Sequence, residues 1–114
     1  MRRHFTRRLV RMVARRTSDG AGGFDRDWVP SGAIWADVKV RSGGQRTTEL
    51  GEEPRLRLRI VTHAVPVGHA ARPGAGDRLL DGSRLYEVEA VHEADAERRY
   101  LTCFANEVTE RRAP

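Results

Sequence analysis

The stretch "PRLRLRIVTH", Pro54 to His63, alternates arginine with an aliphatic residue at a period of two. Successive side chains of a strand point to opposite faces, so Leu56, Leu58 and Ile60 share one face and Arg55, Arg57 and Arg59 the other. The apolar face requires a core. Working outward, "AIWADVKV" sets Ile34, Ala36, Val38 and Val40 against Trp35, Asp37 and Lys39 and also reads as a strand. Between the two lies Arg41 to Pro54, polar, with three glycines and no apolar period, which reads as a long loop.

The C-terminal third continues the pattern. Tyr86, Val88 and Ala90 alternate with Glu87, Glu89 and Val91, and Tyr100, Thr102 and Phe104 oppose Leu101, Cys103 and Ala105. Asp81-Gly82 marks a tight turn and "EADAERR" a turn region. "AVPVGHAARPGAGD" is a second long irregular stretch. On the N-terminal side, "SDGAGG" is a loop and Pro30-Ser31-Gly32 reads as a break. "HFTRRLVRMVARRTS" fits a helical stripe and a strand equally, and the pattern does not choose between them. Short strands with glycine- and proline-rich breaks give a mainly β fold, a small antiparallel β-barrel or sandwich with long loops.

The chain has 114 residues, 39% hydrophobic and 32% charged, which suits one domain. No apolar run approaches the roughly 18 residues that cross a bilayer, and the basic N-terminus lacks the apolar segment of a signal peptide, so no membrane partner is expected. Net charge is +5, and Lys39 is the only lysine. Residues 1–16 hold seven arginines and no acid, leaving the rest at −2. The reading is a basic arm over 1–8, a domain over 9–110 and a short tail over 111–114. An arm of like charges repels itself and is expected to stay mobile until a partner supplies negative charge. Arg2, Arg3, Arg7 and Arg8 are its docking residues.

Catalysis needs a nucleophile, a base and an orienting group, or a metal set. His4, His63, His69 and His92 are scattered, without metal-ligand spacing. The glycines of "SDGAGG" lack the Lys and the strand–helix setting of a phosphate cradle. Cys103, the single cysteine, reads as a buried thiol. The expectation is a protein that is not an enzyme, with no metal and no cofactor. Trp28 and Trp35 make no stacking ladder for bases, and Trp35 is expected to pack against another element or a subunit. A small, nonspecific nucleic-acid-binding β-barrel, with the arm and the arginine strand as one surface, stays open.

The order of segments resembles the phage head–tail adaptor, or head-closure (stopper), family, which includes gene-transfer-agent versions. Gly22 and Gly23, Trp35, Ala36 and Val38, Ser42 and Gly43, and Arg59 and Ile60 carry the resemblance. Asp77, Arg78, Leu79, Gly82, Tyr86, Val88, Val91, Leu101 and Cys103 extend it over roughly 9–108. The chain departs from the pattern at Gly44-Gln45, ahead of Arg46, and in the length of the 64–76 segment. The resemblance implies a β-barrel virion or gene-transfer-agent protein, assembled in the bacterial cytoplasm. It would form a homo-oligomeric ring, a hexamer, that joins the DNA-filled head to the tail and helps retain DNA. Its neighbours would be portal or adaptor proteins, tail terminator or tail tube proteins, and double-stranded DNA in the channel. Arg41, Ser42, Gly43, Gly44, Gln45 and Arg46 would then belong to a channel or gating loop. Arg55, Arg57 and Arg59 would line the channel, touch the next subunit, or stay solvated.

Overall fold

Period-two patterning dominates the molecule. The computed structural model describes residues 4–48, 51–93 and 97–108, with the side chains at 25, 26 and 42–55 outside that description. It consists of strands β1 (Arg7–Ser18), β2 (Phe24–Thr48), β3 (Gly51–His63), β4 (Arg78–Asp81), β5 (Arg84–Glu93) and β6 (Tyr100–Glu107). Every pairing is antiparallel. The order β1-β2-β3-β6-β5-β4 returns to β1 through β4, so the sheet closes on itself as a barrel. Closure removes the free edges that a small open sheet would leave for aggregation.

The interior is filled from alternate positions. Leu9, Ile34, Ala36, Leu58, Ile60, Leu79, Tyr86, Val88, Cys103 and Ala105 form one buried cluster, with Val38, Leu56 and Val91 half-buried against it. The apolar face of the opening stretch thus meets the core it needs. The ambiguous N-terminal stretch is a strand, because Leu9 fits the core only when β1 pairs with β2 along its length and with β4 at Val10 to Met12. A register shift between Val88 and Ala90 turns Val91, not Ala90, toward the core.

Three expectations are corrected. Pro30-Ser31-Gly32 does not break β2: the β1–β2 register shifts between Val10 and Met12, opposite this tripeptide. Bulges tolerate proline in a ladder, since the missing N–H falls where pairing is already irregular. Gly32 takes φ +76, and a Cβ there would stand 2.9 Å from the Ala71 Cα. The irregular 64–77 segment packs onto this bulge, with Ala71 buried and Ser31 Oγ donating to the Ala70 carbonyl at 2.9 Å.

Residues 41–48 and 51–54, expected as part of a long loop, lie in strands. β2 continues to Thr48 and pairs with β3 from Gly51, through Ser42↔Arg57, Gly43↔Leu56, Gly44↔Arg55, Gln45↔Pro54 and Arg46↔Glu53. The strand is made by backbone bonds to its partner, which glycine and polar residues supply as well as any others. Residues 49 and 50 lie outside the described residues. The third correction concerns the arm. Arg7 and Arg8 sit in β1, paired with Ala36 and Trp35, so the arm ends before Arg7; Arg2 and Arg3 lie outside the described residues. Three of the β1 arginines find acids. Arg7 bonds Asp81, Arg11 Nε donates to Asp77 at 2.8 Å, and Arg15 donates to Asp27 at 2.7 Å.

Candidate functional site

The β2–β3 pair outgrows the barrel. Pairing of β1 to β2 ends at Arg7↔Ala36, and pairing of β6 to β3 ends at Arg57↔Asn106. From Ser42 to Thr48 and from Gly51 to Leu56 the two strands have only each other among the described residues. A two-stranded ribbon without a core is at best marginally stable in water, so its length suits contact with something outside the chain.

A basic outward face forms at the root of this ribbon. Lys39 lies opposite Arg59 in the ladder, both exposed, and Arg57 and Arg41 flank them. The Arg41 guanidinium stands 4.7 Å from the centre of the Phe104 ring on β6. Cation–π attraction holds the end of that side chain against the wall of the barrel. Trp35 continues the same side of β2 and is 55% exposed, while Phe5 ahead of β1, His63 on β3 and Tyr100 on β6 cluster at ring separations of 4.4–5.9 Å. Among the described residues no element buries Trp35, so of its two expected packings, another element or a subunit, the first is not seen. Asp37 is the one acid on this face among the described residues.

The predicted residues therefore separate. Arg57, Arg59 and Arg41 come together on one surface. Ser42, Gly43, Gly44, Gln45 and Arg46 run along the ribbon, with Arg55 in register with Gly44. Arg7 lies elsewhere: Asp81 accepts from both Arg7 and the Tyr86 hydroxyl, the latter at 2.8 Å. Burial, followed by this bond, pushes the Tyr86 phenol up to about 12.

Sequence reading missed the residues that hold the 64–77 segment. Asp77 accepts from Arg11 and from the Gly74 N–H, both at 2.8 Å, and Arg11 also donates to the Ala70 carbonyl at 2.8 Å. Arg72 donates to the Val65 carbonyl at 2.9 Å and lies 3.6 Å from Glu93. No local signal marked Arg11 for this role, because its partner Asp77 lies 66 positions away. No group of three metal-ligating side chains forms among the described residues. Cys103 is fully buried, and burial pushes its thiol up to about 12, far from the thiolate that reacts as a nucleophile.

Comparison with known proteins agrees with this geometry. A family model described as phage head completion protein matches residues 1–108. A chain from the virion of a native gene transfer agent particle is 42% identical, covers 94% of this chain and 98% of its own, and superposes with a TM-score of 0.82. The solution structure of protein SF1141 from Shigella flexneri 2a is 19% identical, with coverage of 92% and 94% and a TM-score of 0.64, and shares the fold. No curated protein matches the chain.

Proposed function

The chain belongs to the phage head completion protein family, and from that premise we propose that it closes the DNA-filled head and joins it to the tail. A structural protein of the head, associated with other proteins of the particle, is what membership implies. In the finer reading it is a stopper, one of six copies in a ring, set between portal or adaptor proteins and tail proteins around the DNA channel. The observation that carries this reading is the β2–β3 ribbon: a rigid closed sheet supplies the ring wall, and the ribbon reaches past it. Gly43 and Gly44 place two residues without side chains in that ribbon, where several copies would approach one axis.

Removing the gene from a particle-producing strain should yield tailless heads that lose their packaged DNA, with both defects restored by the wild-type gene. Deleting Gly43 to Glu52 should leave the barrel folded, because the ribbon adds little to the core. Heads carrying that deletion should admit the subunit yet lose packaged DNA before tails attach. Tailed, infectious or transfer-competent particles without the gene would overturn the head-closure reading. Full DNA retention with the shortened ribbon would remove the ribbon from the gate while leaving the joining role in place.

A further inference from the structure

We infer that neighbouring copies meet head to tail, the basic β2–β3 face of one against the acidic outward face of β5 on the next. This rests on the ring reading above and names the surfaces that would make it. In the closed order, β2 and β5 lie three strands apart in either direction, on opposite sides of the barrel. At the root of the ribbon the described charged outward residues of β2 and β3 are Lys39, Arg41, Arg57 and Arg59, all exposed, with Asp37 the one acid beside them. The outward residues of β5 include Glu87 and Glu89, both exposed. Arg78, opposite Glu87 in the ladder, has its guanidinium over the Trp28 ring, 4.3 Å from the centre.

The ion pairs among the described residues use neither set: they join Arg7, Arg11 and Arg15 to Asp81, Asp77 and Asp27, and Arg72, Arg84, Arg98 and Arg99 to Glu93, Glu107 and Glu97. Among the described residues, Lys39, Arg57 and Arg59 on one face and Glu87 and Glu89 on the other therefore carry charge outside the ion pairs of the fold. A two-fold contact would set like against like, whereas a head-to-tail contact sets each face against its complement. Repeated around an axis, such a contact closes into a ring. Trp35, 55% exposed beside the basic residues, supplies the large apolar anchor that interfaces concentrate near their centres.

The test uses charge reversal in a producer strain lacking its own copy of the gene. One variant carries Lys39→Glu, Arg57→Glu and Arg59→Glu; the other carries Glu87→Lys and Glu89→Lys. All five sites are exposed, and unchanged melting of the purified subunits shows that each variant folds. Should either triple or pair melt early, Lys39→Glu alone and Glu87→Lys alone replace them. Each variant by itself should lower the yield of tailed particles at least tenfold, since facing like charges cost several kcal/mol. Expressed together, the two restore opposite charges at every contact in an alternating ring, and yield should recover. Trp35→Ala should leave melting unchanged and lower yield. Loss by the basic-face variant that the acidic-face variant does not rescue would overturn the inference and assign that face to DNA or another protein. Normal yield from either variant alone would overturn it as well. Neither result touches the joining role, which the gene deletion tests separately.

Discussion

Replacing Gly32 with alanine isolates the contact on which the long 64–77 segment rests. Two costs add at this position. The first is backbone: φ is +76, a region that L side chains rarely adopt, at about 1–2 kcal/mol. The second is space: the new Cβ would meet the Ala71 Cα at 2.9 Å and the Ala71 N and Cβ at 3.0 Å. Two of these three atoms are backbone, so the neighbour has no rotamer to give, and overpacking of this kind costs about 1–3 kcal/mol. The sum is roughly 2–5 kcal/mol, and at the midpoint a loss of about 3 kcal/mol lowers the melting temperature of a domain this size by roughly 10–15 °C. Gly22→Ala is the control, because its φ is +86 and nothing lies within 4 Å of its Cβ position. It should lose only the backbone cost. Gly32→Ala combined with Ala71→Gly should recover little, since the two closest backbone atoms remain. Thermal and urea unfolding of the three variants reads these differences directly. Equal losses for Gly32→Ala and Gly22→Ala would refute the close-approach argument, and full recovery in the double variant would refute the claim that backbone makes the contact.

Alkali should destabilise the fold in a defined window. Cys103 and Tyr86 keep their protons to about 12 in the folded state against ordinary values of 9.0 and 10.0, so stability present below pH 9 is lost as pH rises toward 12. In urea titrations from pH 8 to 11, Cys103→Ala should flatten the onset near pH 9 and Tyr86→Phe the part above pH 10; unchanged slopes would contradict the burial assigned to both groups. Arg11→Ser should lower the urea midpoint by an amount equal to about 1–3 kcal/mol, because it strips Asp77 of a partner in a pair only 19% and 15% exposed. Arg15→Ser should change the midpoint little, because its pair with Asp27 stands in solvent, and a loss as large as that of Arg11→Ser would undo the distinction between the two pairs.

Alternation made the barrel legible wherever one strand face was dry. "RLRLRIVTH" and "YLTCFA" could be read because Leu58, Ile60, Leu101, Cys103 and Ala105 all had to be buried. The ribbon could not be read this way. A two-stranded extension meets no core of its own, so its residues need not alternate, and glycine and polar side chains there resemble those of a loop. Pro30-Ser31-Gly32 misled for another reason: turns and bulges draw on the same residues, and only the register of the partner strand separates them. The β1 arginines read as a mobile arm because their acids are remote in sequence, 74 positions away for Arg7 and 66 for Arg11. No local window contains both members of such a pair.

The residues that carry the family resemblance divide by task once they are placed. Ala36, Ile60, Leu79, Tyr86, Val88, Leu101 and Cys103 are buried, and Gly82, at φ +60, is the first central residue of the two-residue turn closed by Asp81↔Arg84. Asp77 ties the long segment to β1 through Arg11. These positions build a barrel and would do so for any barrel of this topology. Trp35 and Arg59 are different: both belong to the pattern, both are exposed, and neither is needed to fill the core. An exposed tryptophan brings a cost in solubility without a return in stability, so a single subunit gives it no role. The two share the outward side of β2 and β3, beside Lys39 and Arg57. On the head-to-tail contact proposed above, the arginine face of the opening stretch would gain what its aliphatic face already has, a surface to pack against, and the charge on β5 of a second copy would supply it.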